Sequence, residues 1–262
     1  MIRKLSDFFS PLVNNEPVKI QEDLFGFTDQ TQATSLRYEQ ADIDLIAAFY
    51  SGVLKSSVLP EPVCTLFDLS VNAFEIFIHG WMSELPVERE TTAFVGRVIN
   101  AAQSVNSPEE KRNAAERAAF DRGEMDTLTV LNVSSKVQRE IHRMMELLRF
   151  VPDSNGVFIA KCAPDHLVLP ALGVYFTARF GETPWAIIDE KRSLCLRRLN
   201  NEQPEILNAE DIDIYKIDKA NDDWEELWKH YHKTINNESR DNPNLQRQLM
   251  PQRYWKYLPE KD

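Results

Sequence analysis

His142 stands among Arg139, Arg143 and Arg149 in the stretch VQREIHRMMELLRF, the most basic helical stripe of the chain. A guanidinium offers a fork of donors that suits phosphate, and an imidazole exchanges a proton near neutral pH. The stripe therefore reads either as a phosphate contact or as a solvated face paired with Glu140 and Glu146. Asp165-His166 lies on a loop between a predicted strand and a predicted helix, a place where functional side chains concentrate. An aspartate that orients a histidine can make a general base. Equally, Asp165 can bond loop amides while His166 fills a buried hydrogen-bonding role. His142, Asp165 and His166 are thus the candidate catalytic groups. Lys191 and Arg192 occupy a turn beside Asp189, ahead of Arg197 and Arg198. Arg179 stands near a helix C-terminus, where a cation answers the helix dipole. Together with Arg139, Arg143, Arg149 and Arg240, the residues Arg179, Lys191 and Arg192 form the candidate set for binding nucleic acid.

Other chemistries find no support in the residue pattern. His230-x-His232 is the closest histidine pair, but helix positions i and i+2 face different ways, so no metal site is expected. The sequence contains no G-x-x-x-x-G-K-[ST], G-x-G-x-x-G or G-x-S-x-G motif and no cysteine triplet for an iron–sulfur cluster. No cofactor is expected. Cys64, Cys162 and Cys195 are far apart and odd in number, which suits reduced thiols in a cytoplasmic protein. No run approaches the roughly 18 apolar residues of a membrane span, and MIRKLSDFFSPLVNN lacks the apolar core of a signal peptide. No membrane partner is expected.

The formal net charge of −11 argues against a chain that coats nucleic acid by charge alone. Residues 1–130 carry −9 of it and residues 131–262 only −2. A local basic surface therefore belongs to the second half, while the acidic first half suits a basic protein partner.

The elements that must position these groups follow from periodicity. Up to about residue 149 the pattern is helical. ADIDLIAAFYSGVLKS turns Ile43, Ile46, Ala47, Tyr50 and Leu54 to one side. FDLSVNAFEIFIHGWM reads as a central helix or as a pair of strands. TTAFVGRVINAAQ and PEEKRNAAERAAF read as helices. Ser107, Pro108, Glu109 and Glu110 supply a cap, a first helical residue and an acidic first turn. In SSKVQREIHRMMELLRF the 4-3-4 spacing of Val137, Ile141, Met144 and Leu148 defines one face.

The period then changes. Phe150–Pro152 and Val157–Ala163, joined by Asp153-Ser154-Asn155-Gly156, read as a hairpin. ALGVYFTARF follows Pro170 as a helix and stops at Gly181. Trp185–Asp189 and Leu194–Leu199 form a second hairpin. The fold class is α+β: mostly helical, with a small antiparallel ββαββ sheet in the middle and a helical C-terminus. Residues 1–130 form an acidic, mainly helical region and residues 131–262 an α+β module.

The end of the chain, MPQRYWKYLPEKD, is aromatic where chain ends are usually small and polar. A buried Tyr or Trp removes about 150–250 Å² from water, worth several kcal/mol at roughly 25 cal/mol per Å². Tyr254, Trp255 and Tyr257 can therefore clasp the domain shut, and Trp224, Trp228 and Tyr231 offer a matching face by their i, i+4, i+7 spacing.

These segments also carry a resemblance. LWKHYHKTI, Arg240 and MPQRYWKYLPE resemble the C-terminal signature of a bacterial family of DNA-metabolism or DNA-repair proteins. VQREIHRMMELLRF, PDHLVLPALGVYFTARF and WAIIDEKRSLCL are similar to that family in the same order, over roughly residues 130–260. The resemblance implies a radical-SAM partner protein and a module that also occurs fused to uracil-DNA glycosylases. It marks Arg240 as an anion-binding arginine. The expected function is a DNA-repair accessory that binds DNA or a modified base for that partner. A nucleotide- or DNA-processing enzyme using His142, Asp165 and His166 is one alternative, and a protein-interaction scaffold is another.

Overall fold

The computed structural model describes residues 2–9, 37–200, 202–209, 223–235 and 242–259. Two compact units emerge, residues 1–139 with 165–167 and residues 140–164 with 168–262. Arg240 and the stretch around it lie outside the described residues, as do the side chains of Trp224, Trp228 and His232.

Among its described residues the first unit is helical, apart from a short parallel pair formed by β1 (Ile2–Arg3) and β2 (Arg37–Tyr38). Helix α1 (Gln40–Tyr50) buries Ile43 and Ile46, as their spacing predicts. It ends earlier than expected, because Gly52 turns the chain at φ 72 and leaves Leu54 beyond the helix. The segment that reads as helix or strand pair becomes two helices, α2 (Val63–Leu69) and α3 (Val71–Met82). Ser70 separates them. Its hydroxyl accepts from the Ala73 amide at 2.9 Å and donates to Glu116 at 2.6 Å. A cap at this point satisfies an amide that the helix itself leaves unpaired.

Helix α4 (Glu88–Gln103) packs beside α3, and Gly80 allows the approach: a Cβ there would stand 2.7 Å from the Thr91 hydroxyl. Helix α5 (Pro108–Ala119) starts with the predicted signal, Ser107 and Glu110 forming a reciprocal capping box with Pro108 at the first turn. Helix α6 (Met125–Leu147) is longer than its periodic stretch suggests. Val137, Ile141 and Met144 are buried on it, while Leu148 falls just past its end.

At the centre of this unit His79 is 2% exposed. Its Nε2 lies 2.9 Å from the Tyr50 hydroxyl and its Nδ1 2.7 Å from the Ser134 hydroxyl. A neutral imidazole has one donor and one acceptor nitrogen, and both hydroxyls can play either part. Protonation would place a charge in an apolar core, so burial pushes this imidazole from 6.5 down to about 4.

The second unit is built on a five-stranded sheet in the order β3 (Val151–Pro152), β4 (Phe158–Cys162), β5 (Trp185–Asp189), β6 (Leu194–Arg198), β7 (Glu205–Asn208). The two predicted hairpins are present, and so is the helix between them, α7 (Leu169–Phe180), closed by Gly181 at φ 59. The sheet is mixed rather than antiparallel, because β4 and β5 run parallel. A single intervening helix returns the chain to its starting edge, which makes the flanking strands parallel. The fifth strand, β7, is short and has one buried residue, Ile206.

Strand β5 is central and buried at all five positions, as expected for a strand covered on both faces. On one face Ile159, Ala186, Ile188, Cys195 and Ala209 form a core. On the other, Phe158 and Trp185 pack against Phe176 and Phe180 of α7, with ring centroids 5.6–6.4 Å apart. The C-terminus adds α8 (Asp223–Ile235), α9 (Pro243–Leu249) and a 3₁₀ helix over Gln252–Tyr257.

The histidine core makes stability depend on pH. The unfolded chain takes up a proton at His79 near pH 6.5, whereas the folded chain resists it down to about 4. Stability is therefore complete above pH 6.5 and falls as pH drops through that window. The loss should reach about 3 kcal/mol at the lower end. Urea unfolding followed across this range should show it, and His79→Gln should flatten that part of the profile.

Candidate functional site

Strands β4 and β5 end together, with Cys162 opposite Asp189 in the ladder. Carboxyl ends of parallel strands are a recurrent location for sites, because the chain must leave the sheet there. Among the described residues three carboxylates gather near that edge, each handled differently.

Asp189 shapes the β5–β6 turn. Its Oδ1 accepts from the amides of Lys191 at 3.0 Å and Arg192 at 3.3 Å, and Ser193 takes φ 54 to complete the turn. Its Oδ2 accepts from Arg192 Nη1 at 2.6 Å, and the same nitrogen donates to the Pro164 carbonyl at 3.2 Å. The two side chains are 0% and 1% exposed. Burial pushes the Asp189 carboxyl up, while the guanidinium and the turn amides pull it back.

Glu140, on α6, is also buried. Tyr254 donates its hydroxyl to the Glu140 carboxylate. Arg253 Nη2 donates to that hydroxyl at 2.9 Å and stands 3.5 Å from Glu140 Oε1, with its guanidinium 4.7 Å from the Tyr254 ring centre. Burial, then the adjacent carboxylate, pushes the Tyr254 phenol up, so it stays a donor. Glu190 is more open. It accepts from the Tyr257 hydroxyl at 2.8 Å, with Lys161 Nζ at 3.8 Å and Lys256 Nζ at 3.6 Å.

The aromatic end is thus a clasp, as its composition predicts: Tyr254 and Leu258 are buried at 2% and 1% exposure. It docks through the carboxylates of α6 and β5–β6. Tyr231, expected to help receive it, is 52% exposed. Cys162 lies buried within the same region, and burial followed by the Asp189 charge pushes its thiol well up. It is a thiol, not a thiolate, and has no nucleophilic character in this state.

The sequence candidates fall as follows. Arg139 is exposed in the first unit, its Nε donating to the Ser135 carbonyl at 3.1 Å. His142 is exposed and Arg143 half-buried in the second unit, and neither has a hydrogen-bond or ion-pair partner among the described residues. Arg149 donates to the Glu146 carbonyl at 3.0 Å. Asp165 and His166 belong to the first unit, where the buried His166 accepts the Glu84 amide at Nδ1, 3.4 Å away. Arg179 is exposed and donates to the Tyr175 hydroxyl at 3.5 Å. Lys191 is half-buried and Arg192 turns inward to Asp189.

Sequence reasoning missed Glu140, Glu190, Lys161, Arg253 and Lys256 as members of this site. The signal for Glu140 was its spacing, three residues after Val137 and four before Met144, which puts it on the buried face of α6. Among the described residues no group of three or more His, Cys, Asp or Glu side chains is placed to hold a metal ion. Among those residues no helix is long and apolar enough to cross a membrane.

A family model described as a domain of unknown function, DUF4130, matches residues 102–260. No curated protein and no solved structure matches the chain.

The buried pair gives a direct stability test. Arg192→Ala leaves the Asp189 charge without its guanidinium, and removing one member of a buried pair typically costs about 3–5 kcal/mol. Chemical denaturation should report a loss of this size. Arg197→Ala, whose guanidinium meets Glu205 at 2.7 Å in a more exposed position, should cost under about 1 kcal/mol.

Proposed function

The chain belongs to the DUF4130 family, and we propose that it acts in DNA metabolism or repair as an accessory that holds DNA for a partner enzyme. The observation that carries this reading is the state of His142 and Arg143 on α6. His142 and Arg143 have no carboxylate partner among the described residues. Glu140, the nearest acid before them on the helix, is drawn into the clasp by Tyr254. In a chain of net charge −11, a guanidinium without a carboxylate partner among the described residues, with an exposed imidazole beside it, is a group able to meet a phosphate backbone.

On this reading the phosphate contacts set the position of the strand, and selection of a base falls to the partner. The sequence resemblance points to a radical-SAM protein in that role. Arg139 and Arg179, both exposed, are further candidates for backbone contacts. Arg192 contributes by holding the β5–β6 turn rather than by touching the strand.

Fluorescence anisotropy of the full chain with a labelled single-stranded oligonucleotide tests this reading. Affinity should fall steeply between about 50 and 200 mM salt. His142→Ala with Arg143→Ala should weaken binding about tenfold and flatten the salt slope by about 0.7 for each phosphate no longer neutralised. Binding indifferent to salt, or none to single-stranded or base-damaged DNA, would overturn it.

A further inference from the structure

Helix α6 runs unbroken from Met125 to Leu147, so its own geometry fixes the spacing of the side chains it carries. Val137, Ile141 and Met144 mark its buried face. At about 100° per residue, Lys136, Arg139 and Arg143 fall together on another face, within an arc of about 60°. Their i, i+3, i+7 spacing makes one row along the helix axis. Lys136 and Arg139 are exposed and Arg143 is half-buried.

The helix does not neutralise this row. From Thr127 to Met145 the only acid is Glu140, which is buried and bonded to Tyr254. Asp126, just before that stretch, stands 3.6 Å from Arg97. Glu146, just after it, is exposed and makes no ion pair among the described residues. Lys136 and Arg143 have no hydrogen-bond or ion-pair partner among those residues. Arg139 donates Nε to the Ser135 carbonyl one turn back, at 3.1 Å. That bond lays the guanidinium along the row, and Nη1 and Nη2 make no further bond among the described residues. Like charges three and four residues apart repel each other, and anions set between them relieve the repulsion. Gln138 and His142, four residues apart, line one flank of the row, both exposed and without a bonding partner among the described residues.

We infer that α6 holds a single polynucleotide strand lengthwise, with Lys136, Arg139 and Arg143 on consecutive phosphates and Gln138 bonding the backbone without charge. The inference rests on the DNA-binding reading and adds the form of nucleic acid, its direction and two further contact residues, Lys136 and Gln138. Lys136 and Arg143 are about 10.5 Å apart along the axis, at about 1.5 Å per residue. Three phosphates of a stacked strand cover the same length, at about 3.4 Å each. A duplex presents two backbones across a groove about 6 or 12 Å wide and calls for cations on both flanks of the helix. Here one flank carries Gln138 and His142, and the other leads to the buried Glu140. Contacts of this kind position a strand and read no sequence.

The test is fluorescence anisotropy of the full chain with labelled oligothymidylate over a range of salt, thermal melting verifying that each variant stays folded. Lys136→Gln should lower the slope of log affinity against log salt by about 0.7, and Lys136→Gln/Arg139→Gln by about 1.4. Arg139→Lys, which keeps the charge, should keep the slope. Gln138→Ala should weaken binding by about two- to tenfold at every salt concentration with the slope unchanged, because a neutral hydrogen bond releases no counterion. If His142→Ala/Arg143→Ala weakens binding while Lys136→Gln/Arg139→Gln keeps both slope and affinity, the row is refuted and the DNA-binding reading stands. If a hairpin duplex binds more tightly than oligothymidylate, the assignment to one strand is refuted. If no oligonucleotide binds, the reading and the row fall together.

Discussion

A carboxylate withdrawn from water is costly unless donors reach it, and α6 carries one such carboxylate at Glu140, with its side chain 2% exposed. Tyr254 reaches it from 114 residues further along the chain. Burial of Tyr254 and Leu258 supplies apolar contact, while the phenol supplies a hydrogen bond that offsets part of the cost of burying Glu140. The same 3₁₀ helix places Tyr257 on Glu190, beside the turn that Asp189 and Arg192 hold rigid. One short aromatic segment therefore ties a helix to the end of a central strand. The aromatic character of the chain end follows from this constraint, since an aliphatic clasp would leave Glu140 without the phenol that donates to it.

The arrangement also decides which charges remain available. Asp189 and Arg192 neutralise each other in the interior. Tyr254 and Tyr257 donate to Glu140 and Glu190, while Arg143 on α6 has no ion-pair partner among the described residues. The proposed phosphate contact on α6 draws on this arrangement, since Tyr254 holds Glu140 in the clasp.

Much of the fold was legible where one signal dominated. The 4-3 apolar spacing of Val137, Ile141 and Met144 on α6, the capping box at Ser107 and Glu110, and Gly181 after α7 all correspond to what is observed. The two hairpins were legible from their turn residues, and Asp153 does accept the Asn155 and Val157 amides, at 2.9 and 2.8 Å. Strand β7 was not legible, because four residues with one buried position give no period to detect. The site was less legible than the fold. By residue type Glu140 reads as a solvent-side acid, although its spacing puts it on the buried face. By its place in a turn Arg192 reads as an open cation, although Asp189 three residues earlier draws it inward. Partners distant in sequence, such as Glu140 and Tyr254, leave no local pattern at all.

The interaction between Glu140 and Tyr254 is the link on which this account stands, and a double-mutant cycle isolates it. Urea unfolding of the wild type, Glu140→Gln, Tyr254→Phe and the double variant gives the coupling free energy directly. The account predicts a coupling of about 0.5–3 kcal/mol, the double variant losing less than the two single losses combined. Losses that add to within about 0.3 kcal/mol would mean that the two side chains act independently, and would contradict it.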